Sequence, residues 1–141
     1  MSKYTLHSSV IKIIDTLKSD MLKNAVKDFI NYTPVDFGVI KNGGYRTEEE
    51  QKELFNKGVS QCDGHIYKSK HQSGLAIDIV PYVNGKYTWD RDTCLYLSGA
   101  FRAYCSMKGL SVINGADWNG DGDLKNDSWD VVHFEVKEWV F

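Results

Sequence analysis

Ser69-Lys70-His71-Gln72-Ser73-Gly74-Leu75-Ala76-Ile77-Asp78-Ile79-Val80 passes from a polar run into strict alternation. Leu75, Ile77 and Ile79 fall on one face, Ala76 and Asp78 on the other. That period of two predicts a strand with one face in a core. Before it, residues 61–72 are polar and aperiodic and read as a long loop. After it, Val83-Asn84-Gly85-Lys86-Tyr87 carries an Asn-Gly turn signal and predicts a hairpin. Residues 131–136 alternate again and predict a closing core strand. Val132, Phe134 and Val136 take its core side, while His133 and Glu135 share the other. Shorter strands are expected at 35–41 and 111–114.

The remaining segments read as helices. Val10, Ile13, Ile14, Leu17, Met21, Ala25 and Phe29 recur at steps of three and four, predicting a helix over 9–31 that closes before Pro34. Thr47-Glu48-Glu49-Glu50 is a capping box, so a second helix should run to about Lys57 and stop at Gly58. A third is expected over 90–108, ended by Gly109, with Leu95, Leu97, Phe101, Tyr104, Cys105 and Met107 as its buried side. Helices flanking a small antiparallel sheet, with little sign of repeated βαβ units, make the fold α+β.

The chain has 141 residues, which suits one domain spanning 1–141 with no second module. Seventeen Lys and Arg against 19 Asp and Glu give a net charge of −2, which argues against a basic nucleic-acid-binding face. Aromatic content of 13% is too high for a disordered chain, and no apolar run is long enough to span a membrane. Cys62, Cys94 and Cys105 are odd in number and lack CxxC spacing, so a disulfide framework is not expected. The first residues, Met1-Ser2-Lys3-Tyr4-Thr5-Leu6-His7, lack the apolar stretch of a signal peptide.

His71, Asp78 and His133 are two imidazoles and a carboxylate, the donor set with which a catalytic zinc keeps a fourth position for water. Adjacent strands would present Asp78 and His133 to one ion, with His71 arriving from the loop. Spacing alone does not separate this from an accidental scatter of polar residues.

The residues themselves go further. Ser69-x-His71-x-x-Gly74-x-Ala76-x-Asp78 resembles the SxHxxGxAxD signature of the VanX/VanY-type D-alanyl-D-alanine family of zinc peptidases, and Asp130-x-x-His133 resembles its ExxH signature. Gly115-Ala116-Asp117-Trp118-Asn119 and Pro81-Tyr82-Val83-Asn84-Gly85-Lys86 are similar to one branch, the phage endolysins that are L-alanyl-D-glutamate peptidases. The likeness covers about residues 37–136. It implies that His71, Asp78 and His133 hold Zn²⁺ and that the acid three residues before the last histidine is the general base. Asp130 stands there where many members have Glu. Glu135 is the rival, since alternation puts it beside His133; otherwise it would orient an imidazole N–H. Residues three apart in a straight strand point oppositely, so Asp130 serves only if it precedes the strand in a turn. Arg46 matches the family arginine that stabilises the oxyanion or holds a substrate carboxylate. Ser69 would support the site or bind substrate.

The activity so implied is metal-assisted hydrolysis of the L-Ala–D-Glu bond in the peptidoglycan stem peptide, lysing the cell wall. The alternatives are a D-Ala-D-Ala carboxypeptidase or dipeptidase, and a non-catalytic zinc- or calcium-binding interaction domain. An endolysin of this kind would be a monomer made in the host cytoplasm and released by a separate holin. Asp117-x-Asn119-x-Asp121-Gly122-Asp123 reproduces the first half of an EF-hand loop, with side-chain oxygens suited to Ca²⁺. It departs at the twelfth position, Ser128, with Asp127 one residue early, and a plain hydrophilic turn is the other reading. Endolysins of the resembled branch with a similar loop respond to calcium, so Ca²⁺ is expected to order this loop and position the catalytic acid.

Overall fold

A computed structural model describes residues 3–126 and 128–136. Its order is α1 (Ser8–Ile14), α2 (Asp20–Phe29), β1 (Phe37–Gly38), α3 (Glu48–Asn56), a 3₁₀ turn (Lys70–Ser73), β2 (Ala76–Asp78), β3 (Val80–Val83), β4 (Lys86–Tyr87), α4 (Arg91–Met107), β5 (Ile113–Asn114) and β6 (His133–Glu135). The strands form two antiparallel three-stranded sheets, in the orders β1-β3-β4 and β2-β6-β5. This is the α+β architecture expected, with the sheet divided in two where β2 gives way to β3 at Ile79.

The apolar periodicity of 9–31 is real, but it does not make one helix. The chain breaks between α1 and α2, where the backbone N–H groups of Lys18 and Ser19 donate to Gly74 O at 2.9 and 3.3 Å. Ser19 then caps α2 by accepting from Leu22 N. A tertiary contact and a local cap outweigh the periodicity, and Met21, expected inside, is 46% exposed. The short strands also shrink, residues 35–41 to Phe37–Gly38 and 111–114 to Ile113–Asn114.

Local signals with a defined geometry held. Thr47 and Glu50 form the reciprocal capping box of α3, and Lys57 ends it before Gly58. Asn84 and Gly85 both have positive φ, 54° and 80°, as a two-residue turn between β3 and β4 requires. α4 starts at its N-cap Asp90, whose carboxylate accepts from Thr93 N. Leu97, Phe101, Tyr104 and Cys105 are its buried side, whereas Met107 is 85% exposed.

The main core lies between the helices and the β2-β6-β5 sheet. Phe101 meets Phe29 and Phe134 at ring-centroid distances of 5.0 and 4.8 Å, and Ile14, Leu22, Ile77, Ile79 and Leu97 are fully buried around them. Each such side chain contributes roughly 1.5–3 kcal/mol. The apolar face of β2 and β6 points into this core. The opposite face of the same two strands carries Asp78, His133 and Glu135.

Candidate active site

The register of β2 on β6 sets Asp78 directly across from His133, with Ile77 on Phe134 and Ala76 on Glu135. Asp78 Oδ1 lies 3.2 Å from His133 Nδ1 and 3.3 Å from His71 Nε2. His71 comes from the 3₁₀ turn ahead of β2. Ser69 caps that turn, its Oγ accepting from His71 N and its backbone N–H donating to Gln72 Oε1, and Gly74 ends it at φ 71°. Ser69 thus holds His71 through the backbone. The donor atoms of His71, Asp78 and His133 all lie within 4.8 Å of one another.

Each imidazole has its second nitrogen occupied. His71 Nδ1 lies 2.9 Å from the buried Gly44 carbonyl oxygen, which can only accept, so Nδ1 donates and the Nε2 lone pair faces Asp78. His133 Nε2 lies 2.9 Å from Glu135 Oε1, which leaves Nδ1 toward Asp78. Carboxylate and carbonyl partners of this kind fix the tautomer of a metal-ligating histidine. The residues therefore fit a divalent ion, with one imidazole offering Nε2 and the other Nδ1.

Electrostatics agree with that fit. Burial opposes a charged Asp78, but His71 and His133 outweigh it and hold the carboxyl far below its usual range. Burial likewise opposes charge on His133, yet its hydrogen bonds with Asp78 and Glu135 push it up to about 9. A cation held in this cluster would take the place of that proton.

Arg46 packs against the cluster. Its Nη2 donates to Asp78 Oδ2 at 3.3 Å, its Nη1 to Gln51 Oε1 at 3.1 Å and its Nε to Asn42 O at 2.6 Å. The backbone joins in, because Arg46 N donates to His71 O and Asp78 N to Gly43 O. Arg46 thereby orients Asp78, leaving Oδ1 for the imidazoles. Burial lowers the guanidinium pKa against the pull of Asp78 and Asp130.

Asp130 precedes β6 in a turn, at φ 66°, which meets the condition for its side chain to share the site. Its Oδ2 lies 3.8 Å from His133 Nδ1. The turn is closed tightly: His133 N donates to Asp130 O, and a Cβ on Gly115 would meet that same oxygen at 1.8 Å. Only glycine fits at 115. Partial burial and the charge of Asp78 push the Asp130 carboxyl above its ordinary value. Glu135 faces His133 Nε2, on the side of the ring away from Asp78.

These groups line a groove of about 870 Å³. Trp118 stacks on His133 at 5.2 Å, and Trp129 stacks on Trp118 at 5.0 Å. Trp89 and Trp118 both line the groove, whereas Tyr82 and Tyr87 pack edge to face on each other in the β3-β4 hairpin. Trp129 and Gln51 escaped the sequence reading. The only signals were Trp129's place beside Asp130 and a glutamine on what would be the inner side of a capped helix.

The acidic loop folds on itself. Asp117 is buried, its Oδ2 accepts from Gly122 N at 2.8 Å, and Arg102 lies 3.6 Å away. Its Oδ1 is buried without a hydrogen-bond partner. Asn119, Asp121 and Asp123 accept from backbone N–H groups two residues on. Asp127 lies outside the described residues. Asp117, Asn119, Asp121 and Asp123 thus share one loop, whose first turn carries Trp118 onto His133.

Two imidazoles and a carboxylate at the floor of a groove, with a second acid on its rim, are a donor set that could hold one metal ion, as hydrolytic metal sites do. The chain belongs to a known family of this sort: the model described as phage L-alanyl-D-glutamate peptidase matches residues 2–137. It is 32% identical over 130 residues to the L-alanyl-D-glutamate peptidase of Escherichia phage T5, covering 89% of this chain and 92% of the relative. Its fold is similar to the crystal structure of the L-Ala D-Glu endopeptidase ChiX of Serratia marcescens, with a TM-score of 0.73, 22% identity, and coverage of 96% of this chain and 91% of that one.

Proposed function

We propose that the chain is a zinc peptidase that cuts the L-Ala–D-Glu bond of the peptidoglycan stem peptide, as an endolysin. One observation carries this reading. His71, Asp78 and His133 converge at the floor of a groove that also presents Asp130 and Arg46. Family membership supplies the substrate.

His71, Asp78 and His133 would hold the ion. When bound, zinc would supply a Lewis acid for the scissile carbonyl and bring the pKa of water down to about 7. Asp130 takes the proton of the attacking water and delivers it to the leaving amine. Its raised pKa suits a group that must give the proton back. Arg46 keeps two of its five N–H donors beyond those used on Asn42, Gln51 and Asp78, and it lines the groove, where such donors would stabilise the developing negative oxygen. Glu135 holds His133, and Ser69 holds His71. Trp89 and Trp129 offer the stem peptide exposed apolar surface.

Ca²⁺ is assigned to the acidic loop, with Asp117, Asn119, Asp121 and Asp123 as its ligands. The buried, unpartnered Asp117 Oδ1 supports this, since such an oxygen is costly without a partner. The enzyme is read as one catalytic domain over 1–141 and as a monomer. It is made in the host cytoplasm and released to the wall by a separate holin. Among the described residues, no helix is long and apolar enough to cross a membrane.

Digestion of purified sacculi followed by mass spectrometry tests the reading. New N-terminal D-Glu ends are expected. Release of free D-Ala would favour a carboxypeptidase, and intact sacculi would leave only a binding role.

A further inference from the structure

Within α3 the buried residue is Gln51, fully enclosed, where a core position would ordinarily be apolar. Burying a side-chain amide is costly unless every donor and acceptor is used. Gln51 uses them, and none of these bonds serves the helix. Its Oε1 accepts from Arg46 Nη1 at 3.1 Å. Its Nε2 donates to Ser60 Oγ at 2.7 Å and to the Cys62 carbonyl oxygen at 2.8 Å. The amide orientation is forced, because a guanidinium can only donate and a carbonyl can only accept. Ser60 and Cys62 belong to the loop after α3 that forms one wall of the active-site groove. The same wall is pinned at Gly64, whose carbonyl accepts from Gln72 beside His71, and where an added Cβ would meet Gln51 Cβ at 3.1 Å.

We propose that Gln51 is a positioning residue for the reaction, fixing the Arg46 guanidinium with its carbonyl oxygen and the groove wall at Ser60–Cys62 with its amide. Arg46 in turn holds Asp78 Oδ2. The chain of contacts runs from groove wall to Gln51, to Arg46, to the metal-facing carboxylate. A substrate that seats against the wall therefore bears on the charge that meets its carbonyl oxygen. The inference rests on the proposed peptidase reading for its kinetics, but not for its structural readout.

Three variants separate the two halves of this role. Gln51→Met keeps the volume and removes both halves. Gln51→Glu keeps an acceptor for Arg46 and loses the amide. Ser60→Ala loosens the wall alone. Gln51→Met is expected to lower kcat about 10- to 100-fold, the scale for loss of a group supporting a site residue. Its zinc content by mass spectrometry should be unchanged. Amide exchange at residues 60–64 should quicken, and the Arg46 Nε–H resonance should shift. Ser60→Ala should raise KM severalfold and quicken the same exchange with the smallest loss of kcat. Gln51→Glu, which keeps the Arg46 contact but turns a carboxylate oxygen toward the Cys62 carbonyl, should quicken the exchange and lose less kcat than Gln51→Met. Unaltered kcat in folded, zinc-loaded Gln51→Met, with an unmoved Arg46 resonance, would overturn the proposal. So would a kcat loss equal in all three variants, or one matched by loss of folded protein in thermal unfolding. If the parent releases no N-terminal D-Glu, the peptidase reading fails; the exchange and Arg46 readouts still decide the role of Gln51.

Discussion

The His71/Asp78/His133 cluster and the acidic loop both gather oxygen and nitrogen donors, but they are built in opposite ways. The first draws its groups from a 3₁₀ turn and two paired strands, 62 residues apart at the extremes. Each histidine is locked from behind, by Gly44 or by Glu135. The second draws all its groups from one stretch, and most of its carboxylates satisfy neighbouring backbone N–H groups. A site assembled across elements is held by the fold and is ready for its ion. A site within one loop is held mainly by itself, so an ion bound there would have more to order. Trp118 joins the two, lying in the loop sequence while its ring stacks on His133.

This contrast breaks first at the ligands. His71→Ala or His133→Ala should abolish zinc retention and lower activity by about a thousandfold or more, since the ion is worth several kcal/mol of barrier. Metal analysis alongside sacculus turnover checks it, and a zinc-retaining, active variant would undo the assignment.

Asp130→Asn comes next. Zinc should stay, while kcat falls about 10²- to 10⁴-fold, the usual contribution of a general base. The parent's pH profile carries the same information. A carboxyl pushed above its ordinary 3.8 takes up its proton at a higher pH than a free aspartate. A base must be unprotonated, so kcat/KM should fall as pH drops through that raised value. Asp130→Asn should lose this acidic limb in its residual activity.

Glu135→Gln keeps a hydrogen-bond acceptor for His133 but removes the charge. A loss of about 10- to 100-fold in zinc affinity or activity is expected, with the limb assigned to Asp130 still present. Loss of that limb would instead make Glu135 the base.

The smallest effects belong to the loop. Ca²⁺ should slow amide exchange over residues 117–126 and leave residues 71–78 unchanged. Asp117→Asn should weaken calcium binding in calorimetry while zinc content stays. Activity indifferent to Ca²⁺ and EGTA, with no heat of binding, would reduce the loop to a hydrophilic turn.

What was legible in the sequence follows the same division. The Thr47–Glu50 box and the Asn84-Gly85 turn are local rules, and the structure obeys them. The alternating stretches at 75–80 and 131–136 keep their facing but are strand only over Ala76–Asp78, Val80–Val83 and His133–Glu135. Pairing Asp78 with His133 needed only the strand periods and the motif residues. The break between α1 and α2 was hidden because its cause, the Gly74 carbonyl, lies more than fifty residues downstream. Gln51 was hidden for the same reason: in sequence it is one more polar residue in a charged helix, and only the folded loop shows that Arg46, Ser60 and Cys62 surround it. Asp130 was legible as a residue, but its place in the site depended on a left-handed turn that the sequence marks only by Gly115.

X-ray absorption at the zinc edge tests the account most directly. The parent should show two nitrogen neighbours at about 2.0–2.1 Å and carboxylate or water oxygen at about 2.0–2.2 Å. His133→Ala should lose a nitrogen or fail to hold zinc at all. An unchanged shell in that variant, or a parent that takes up no zinc, would contradict the site described.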